Sequence, residues 1–463
     1  MSPTKASAPG NRIAHLEQTL RAGRIELARK QVHDILQNSP DVVEALNNIG
    51  VAHKRANRLN EAASYYRHAL AISPTRPSTL SNLALVLKAQ GQLAEAEACC
   101  RLALLHDADS LSACYNLGII LKAQGRFKEA GEAFSSVLSR QANYADAAFD
   151  LALIELLCGQ FEQGWPHYES RFDPKLSNPQ KMALPQTTVP RWTGGKGGDP
   201  VGLRLLLLHE QGFGDQIQFC RYANELKRRG AQVSLVVKPE LVRLLGTLSG
   251  ADAVLSSESP IDWLQFDAWT PLMSLPSLLG TRVDNIPDTS AYLSAEPGKV
   301  RDWQERLATP AGFRKIGLVW GGSPTHARDH ERSLALADLR GLLQTPGCRF
   351  ISLQKGPRAA ELQTLPAAIR PFDAGSELHD FSDTAAALSV LDLLISVDTS
   401  TAHLAGALGR PAWILLSFVP DWRWLVDRKD SPWYPSLRLF RQPHRLGWPD
   451  CLHATHEALL QAR

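Results

Sequence analysis

The residues best suited to chemistry in this sequence are a run of polar side chains that follows an apolar stretch, residues 393–397. The pattern predicts a buried strand, a turn, and a helix packed through small side chains. Hydroxyl groups and the free N–H groups of a helix N-terminus bind a diphosphate, and the helix dipole adds favourable charge without a metal. A packed core histidine is the alternative for the histidine. The candidate diphosphate-binding residues are Asp398, Thr399, Ser400, Thr401 and His403.

A second candidate loop, residues 209–215, follows another apolar stretch and leads into a predicted helix. Gly212 and Gly214 allow close backbone approach to a ligand. The loop is not a dinucleotide-binding fingerprint, because Ile217 stands where the third glycine belongs and no acid ends the second strand. Asp215, ionised at neutral pH, is a candidate base, and a helix N-cap is its alternative role.

Two further groups of side chains follow predicted strands. Arg328 and Arg332 lie in a cationic loop and could clamp a phosphate, or could be solvated surface charge. Trp422 and Trp424 could stack on a sugar or nucleobase, with Arg423 reaching a phosphate. The alternative for this aromatic group, which includes Trp433 and Tyr434, is a plug between two lobes.

The elements that must position these loops are short apolar strands alternating with helical stretches, which indicates parallel sheet with crossover helices. The alternation weakens between residues 260 and 310 and then restarts, which predicts two α/β halves with a cleft between them. Ligands in such folds bind at the carboxyl ends of the strands. The predicted strands are residues 203–208, 233–237, 315–320, 349–353, 393–397 and 412–416.

The N-terminal part repeats at a period of 34 residues, which superposes Ala62, Ala96 and Ala130. The pattern resembles the tetratricopeptide repeat, two antiparallel helices per unit, and about five units are predicted. Small residues should let the two helices approach, and larger ones should fill the groove of the next unit. Asn48, Asn82 and Asn116 form a line of amides suited to a partner's backbone, or are solvated helix polarity.

A stretch rich in Pro, Gly, Thr and Lys, residues 173–200, predicts a linker. The chain has 463 residues, 44% hydrophobic and 21% charged, so disorder does not dominate it. A net charge of +3 does not indicate a nucleic-acid partner. No apolar run approaches bilayer length and the start lacks a signal peptide, which favours a cytoplasmic protein. Seven cysteines without a C-x-x-C pair predict reduced thiols, not disulfides or zinc.

Residues 201–450 resemble the heptosyltransferase-like glycosyltransferase family through Gly214, Asp215 and residues 398–411. The combination looks most like bacterial proteins in which tetratricopeptide repeats precede this region. Those proteins share residues 210–215, 352–356, 383–386, 421–424 and 431–435.

The resemblance implies a tetratricopeptide α-solenoid followed by a GT-B fold of two Rossmann-like lobes. It divides the chain into a solenoid at 9–172, a linker at 173–200, an acceptor-side lobe at 201–297 and a nucleotide-sugar lobe at 298–463. Asp215 corresponds to the family's proposed base. Arg332 stands where a lysine is usual, and Glu210 and Gln211 stand where heptosyltransferases have small polar residues. The implied donor-binding residues are Gly214, Arg332, Gln354, Lys355, Asp398, Thr399, Ser400, Thr401 and His403.

The implied activity is metal-independent, inverting transfer of a hexose or heptose from a nucleotide sugar, without a cofactor, to a protein or glycan acceptor recruited by the repeats. Flagellin, a polysaccharide precursor and a cytoplasmic protein are open as acceptors. A binding or scaffold protein with a degenerate transferase region is the alternative, and a relative of protein O-GlcNAc transferases is a third. A chain beginning near Pro190 is expected to bind donor but not to modify acceptor.

Overall fold

The computed structural model describes residues 9–39, 41–177, 184–194, 198–288 and 290–462. Its backbone contacts divide the chain into two compact units, the first ending at Ile154 and the second beginning at Glu155. Within the predicted linker, residues 178–183 and 195–197 lie outside the described residues. Among the described helices, none combines the length and apolarity needed to cross a bilayer.

The first unit is a stack of helices joined by short turns, which confirms the predicted repeat solenoid. Each turn of the 34-residue period has a residue with positive φ, as at Asn57, Gly91 and Gly125. The helices are α1 (Pro9–Arg21), α2 (Ile25–Gln37), α3 (Val42–Arg55), α4 (Leu59–Ile72), α5 (Pro77–Ala89), α6 (Leu93–His106), α7 (Leu111–Ala123), α8 (Phe127–Arg140) and α9 (Ala145–Leu157), which crosses the unit boundary.

The small and large residues of each repeat pack against each other in the same repeat. A Cβ on Gly50 would lie 2.5 Å from Cε1 of Tyr66, and a Cβ on Gly118 would lie 2.6 Å from the same atom of Phe134. The larger residues therefore cover the glycine of their own helix pair, in addition to joining one core that runs through successive repeats. The packing within each repeat is thus additional to the expected packing between successive repeats.

Two amides of the predicted line, Asn82 and Asn116, form hydrogen bonds between repeats. Asn82 donates to Oδ1 of Asn47 at 3.1 Å, and Asn116 donates to the carbonyl oxygen of Ser81 at 3.3 Å. The first bond joins α5 to α3 and the second joins α7 to α5, so these amides help to set the stacking of the repeats.

The second unit contains two all-parallel sheets, which confirms the predicted α/β character of this region. The first sheet has the order β3-β2-β1-β4, and Leu205 of β1 pairs with Val233 of β2 and Ala268 of β4. Its strands are β1 (Arg204–Leu208), β2 (Gln232–Val237), β3 (Ala253–Ser256) and β4 (Ala268–Pro271). Residue Arg191 bridges to Trp269 on β4, so this part of the predicted linker is packed against the sheet.

The second sheet has the order β10-β9-β8-β5-β6-β7, the strand order of a doubly wound nucleotide-binding fold. Ile316 of β5 pairs with Phe350 of β6 and Leu393 of β8. Its strands are β5 (Arg314–Val319), β6 (Cys348–Ser352), β7 (Phe372–Asp373), β8 (Leu393–Val397), β9 (Ala412–Leu416) and β10 (Leu437–Arg441). Apolar side chains of these strands form the core of this half, together with residues of the surrounding helices.

We call the half with β1–β4, residues 201–288, the first lobe, and the half with β5–β10, residues 297–462, the second lobe. Strand order reverses between β1 and β4 in one and between β5 and β8 in the other, so the crevices at these strands' carboxyl ends are the expected ligand positions. The helices are α10 (Phe161–Tyr168), α11 (Phe213–Phe219), α12 (Tyr222–Arg228), α13 (Val242–Leu245), α14 (Leu275–Leu278), α15 (Pro297–Arg306), α16 (Asp329–Arg332), α17 (Arg340–Leu343), α18 (Phe381–Ser389), α19 (Ser400–Ala407) and α20 (Trp448–Gln461).

Candidate active site

Asp215 is the third residue of α11, directly beyond the carboxyl end of β1. Gly212 is the N-cap of this helix, and its backbone N–H donates to Oδ2 of Asp215 at 2.7 Å. The carboxylate thus closes the start of the helix, where the dipole favours negative charge. Burial raises the pKa of Asp215 above its ordinary value, against the opposing effect of the Arg423 guanidinium.

Arg423 brings the second lobe to Asp215. Its guanidinium binds Oδ1 of Asp215, donates to Oε1 of Gln218 at 2.8 Å and donates to Oδ1 of Asp421 at 2.8 Å. It also lies over the Trp422 ring, 4.2 Å from the centroid. Burial would raise the pKa of Asp421, but Arg423 outweighs burial and lowers it. Two carboxylates, Asp215 of the first lobe and Asp421 of the second, therefore share the guanidinium of Arg423.

Helix α11 of the first lobe packs directly against α19 of the second. A Cβ on Gly214 would lie 2.8 Å from Cδ2 of His403 and 3.5 Å from Cα of Ser400. Glycine is needed here because a side chain would prevent this close approach. Its backbone conformation does not require glycine, since the φ of Gly214 is not positive. The contact places Asp215 beside the turn after β8.

His403 lies on α19 within a shell of aromatic rings. Its ring stacks on Trp424, with 5.1 Å between centroids, and its Nδ1 lies 3.1 Å from the Tyr434 hydroxyl. Burial, followed by the charge of Arg423, lowers the pKa of His403 to about 3, so the ring is neutral at physiological pH. A Tyr434 hydroxyl that donates to Nδ1 would leave the proton on Nε2, which can then donate a hydrogen bond.

The turn before α19 carries the predicted hydroxyl residues. Thr399 is the N-cap, and its hydroxyl lies 3.0 Å from that of Ser396. Within the described part of the chain, the hydroxyls of Ser400 and Thr401 take part in no side-chain hydrogen bond. Burial, followed by repulsion from Asp421, raises the pKa of Asp398 to about 6. A diphosphate would therefore meet a helix N-terminus, two available hydroxyls and a carboxyl group that is readily protonated.

Arg332 lies across the glycine turn that follows β5. A Cβ on Gly322 would lie 2.5 Å from its Nη2, so the glycine makes room for the guanidinium. Arg332 forms a long ion pair with the buried Asp329, 3.5 Å from Nε to Oδ1. Its charge opposes the rise in the pKa of Asp398 and contributes to the fall in the pKa of His403, so its field reaches both groups. Arg328, by contrast, binds Glu331 and the carbonyl of Val419.

Gln354 and Lys355 are engaged with the backbone. Oε1 of Gln354 accepts from the N–H groups of Trp320 and Gly321 at 3.0 and 2.9 Å, and its Nε2 donates to two carbonyls. Lys355 donates to the carbonyl oxygens of Gly375 and Leu378. These residues shape the loops after β5 and β7, and their hydrogen bonds, among the residues that the structure describes, do not include Asp215 or His403.

Trp422 and Trp424 pack against protein rings. Trp424 is fully buried against His403, while Trp422 contacts Trp165, Tyr168 and Trp433 at 5.3–6.3 Å between centroids. Trp422 also lies 6.2 Å from Phe219 of the first lobe, so these rings pack between the lobes as in the aromatic plug, and burial leaves neither ring a free face for stacking.

A second buried arginine binds the same loop that carries Asp215. Arg171 donates through Nε and Nη2 to the two carboxylate oxygens of Glu210, at 2.8 and 3.1 Å. Oε1 of Glu210 also accepts from the backbone N–H of Met273, beyond β4. The next residue, Gln211, donates to the Tyr168 hydroxyl at 2.9 Å. The residues that distinguish this loop from that of heptosyltransferases therefore bind α10 and the short 3-10 helix after it, Glu169–Phe172.

Sequence reasoning did not find the partners Arg171 and Arg423. The sequence indicates that Arg423 could reach a phosphate, whereas in the structure its guanidinium binds Asp215, 208 residues away. No local sequence pattern predicts the pair of Asp215 with Arg423, since the two residues come together only after both lobes have folded and packed against each other.

Comparisons with known proteins identify the repeats. Family profiles described as tetratricopeptide repeat match residues 19–77, 53–117 and 111–144. Among solved structures, MamA is similar with a TM-score of 0.29 at 17% identity, over 33% of this chain and 90% of that one. PilW, a type IV pilus biogenesis factor, is similar with a TM-score of 0.31 at 21% identity, over 36% and 76%.

A relative extends beyond the repeats. Protein FlbA of Caulobacter vibrioides is 29% identical over 304 residues, which cover 60% of this chain and 49% of FlbA. The aligned length exceeds that of the repeats matched by the family profiles. This chain spans about half the length of that relative.

Proposed function

We propose that the second unit is a GT-B-type glycosyltransferase that moves a sugar from a nucleotide-sugar donor to an acceptor recruited by the repeats. The observation that carries the proposal is the contact of α11 with α19. It sets a carboxylate, Asp215, from the strand-order reversal of one lobe against a helix N-terminus with available hydroxyls from the reversal of the other.

In the proposed reaction Asp215 takes the proton of the acceptor hydroxyl as its oxygen attacks the anomeric carbon of the sugar. The bond between that carbon and the diphosphate oxygen breaks, and the nucleoside diphosphate leaves from the opposite face, so the anomeric configuration inverts. Ser400, Thr401 and the N–H groups of α19 stabilise the leaving charge, with Arg332 as the cation. These groups would supply the stabilisation that a metal supplies elsewhere.

The raised pKa of Asp215 suits a general base better than an ordinary surface carboxylate would, since proton transfer is most effective near the working pH. The neutral His403 can donate a hydrogen bond to the diphosphate without the cost of a buried cation. Arg423, which binds Asp215 in the structure, must loosen that contact for Oδ1 to accept a proton. Oδ2 keeps its bond from Gly212.

The test is incubation of the full chain with a panel of nucleotide sugars, scored for slow hydrolysis and for transfer to extracts. Asp215→Asn keeps an acceptor for Gly212 and is expected to abolish transfer while donor binding persists. Asp262→Asn is the matched control, because Asp262 also caps a short helix of the first lobe but lies at an exposed site. Near wild-type transfer by Asp215→Asn would remove the base assignment.

The second candidate function is a non-catalytic binding protein. The observation that favours it is the hydrogen bonding of Asp215, both of whose carboxylate oxygens already accept hydrogen bonds from the protein. Calorimetric titration with nucleotide sugars and nucleoside diphosphates separates the two. Binding of none of them would favour the scaffold, and tight binding of a diphosphate that Arg332→Ala weakens about tenfold or more would favour the transferase.

The repeats belong to a family of protein-binding solenoids, and we propose that they recruit a protein or glycan acceptor. The truncation near Pro190 is a poor test of this, because it removes Arg171 and leaves Glu210 buried without its cation. Donor binding should then be lost through misfolding, contrary to the expectation from sequence. A chain that begins at Glu155 keeps the second unit whole.

A further inference from the structure

We infer that Tyr168 and Arg171 are positioning residues for Asp215, so that α10 and the 3-10 helix after it are part of the catalytic unit. The inference rests on the proposed function. It follows from a continuous series of contacts that runs through residues 210, 211, 212 and 215.

The first contact is the pair of Arg171 with Glu210. Both side chains are buried, 0% and 2% exposed, and the guanidinium binds the carboxylate through two parallel hydrogen bonds. Arg171 also donates to Glu169 at 2.7 Å and to the Ser274 hydroxyl at 2.8 Å. A planar guanidinium held on several sides fixes both the position and the orientation of the carboxylate.

The second contact is the bond from Gln211 to the Tyr168 hydroxyl. Gln211 has a φ of +53°, in the left-handed region that non-glycine residues rarely adopt. Such a backbone persists only where its surroundings hold it. Glu210 is held on one side by Arg171, and the side chain of Gln211 is held by Tyr168, so the strained turn has an anchor at each of its two residues.

The third contact connects the anchored turn to Asp215, the proposed base. Gly212 follows the anchored turn directly, and its N–H binds Oδ2 of Asp215. A shift of Gly212 would therefore move the carboxylate and the start of α11, against which His403 packs. Positions of catalytic groups must hold to within a fraction of an ångström, so a small shift here lowers the rate.

The sharpest variant is Tyr168→Phe, which removes one hydroxyl and keeps the buried ring. Its matched control is Tyr222→Phe. Tyr222 is equally buried in the first lobe and its hydroxyl also makes one bond, 2.9 Å to Thr281, away from the loop. The two substitutions should lower the melting temperature by similar amounts, since each removes a hydrogen bond made by the hydroxyl of a buried tyrosine.

Amide hydrogen exchange of the full chain gives the readout that does not depend on activity. We expect residues 209–219 to exchange about five- to tenfold faster in Tyr168→Phe and at the wild-type rate in Tyr222→Phe. Equal protection of this segment in the two variants, or a loss spread over the whole second unit, would overturn the inference.

The transfer assay gives the second readout. We expect kcat to fall about tenfold in Tyr168→Phe with the donor KM unchanged, because the proposed donor contacts lie on the second lobe. An unchanged kcat, or an equal fall in Tyr222→Phe, would contradict the positioning role. If the wild-type chain transfers no sugar, the proposed function fails, while the exchange data still decide whether Tyr168 holds the loop.

Discussion

Glu210 and Asp215 lie in one loop, and each binds an arginine, yet the two pairs have different surroundings. The Glu210–Arg171 pair is closed to solvent, and both oxygens of Glu210 bind the arginine while one also binds the Met273 N–H. The Asp215 side chain is 16% exposed, and it shares Arg423 with Asp421, which is 38% exposed.

The comparison teaches how one loop can combine rigidity with reactivity. A fully paired, buried ion pair fixes geometry but cannot change protonation without a large cost. A carboxylate that shares its cation and is partly exposed can exchange a proton, as a base must. The first pair therefore holds the loop, and the second lies where the chemistry is proposed.

The largest effect on stability should come from breaking the buried pair of Glu210 with Arg171. Arg171→Met leaves Glu210 buried without its cation, which we expect to lower the free energy of unfolding by about 3–5 kcal/mol in urea denaturation. The double variant Arg171→Met/Glu210→Gln removes the charge as well, and it should recover more than half of the loss. A double variant as unstable as the single one would show that packing, not charge, dominates.

Breaking the pair of Asp215 with Arg423 should lower the free energy of unfolding by less. Arg423→Met is expected to lower stability by about 2–3 kcal/mol at pH 7.5, since Asp215 and Asp421 can take up water or a proton. The pKa of Asp215, already raised by burial, rises further without Arg423. A raised carboxyl pKa penalises the ionised form, so the loss is greatest above the folded-state pKa and shrinks as the pH falls through it.

The matched control for Arg423→Met is Arg243→Met. Arg243 also joins the lobes, through Glu296 and Asp380, but its side chain is exposed, and its loss should cost under about 1 kcal/mol. Denaturation of both variants at pH 7.5 and 5.0 checks the comparison. A loss from Arg423→Met that does not change with pH would mean that Asp215 does not titrate in this range.

The contact of the lobes itself can be tested at Gly214. An alanine there would bring Cβ to 2.8 Å from His403, and overpacking should cost about 2 kcal/mol and weaken transfer. Gly341→Ala is the control, because its Cβ would meet open space on a helix. Equal stability of the two variants would show that α11 and α19 can separate freely.

The repeats and most strands could be predicted because their signals are local. A 34-residue period places the turns, and strands such as Ala412–Leu416 are continuous apolar runs. The edge strands were missed for a physical reason. Ala268–Pro271 has four residues, one of them proline, and Phe372–Asp373 has two, so their pairing with neighbours makes them strands.

The candidate site divides in the same way. The loop with Gly214 and Asp215 and the turn before His403 have local motifs, whereas their partners come from distant segments. Arg171 is 39 residues from Glu210, and Arg423 is 208 residues from Asp215. Such pairs depend on how sheets and lobes pack, and the roles of the site residues stay predictions until transfer is measured.

The smallest effect on stability concerns His403, which lies near the pair of Asp215 with Arg423 and near the turn before α19. Burial and Arg423 lower its pKa to about 3, whereas an unfolded histidine titrates near 6.5. Below pH 6.5 the unfolded chain therefore binds a proton that the folded chain does not, and the free energy of unfolding decreases as the pH is lowered. The cost at pH 5.5 relative to pH 7.5 is about 1.4 kcal/mol.

His403→Gln should remove this cost, so its stability should change less between pH 7.5 and 5.5 than that of the wild type. Asp398, whose pKa is raised to about 6, acts in the opposite sense in both proteins, and its contribution largely cancels in the difference. His453→Gln, at an exposed site on α20, is the control and should keep the wild-type pH dependence. Urea denaturation at the two pH values measures the difference. The same pH dependence in His403→Gln as in the wild type would mean that the folded and unfolded chains bind this proton equally, so that burial does not lower the pKa of His403.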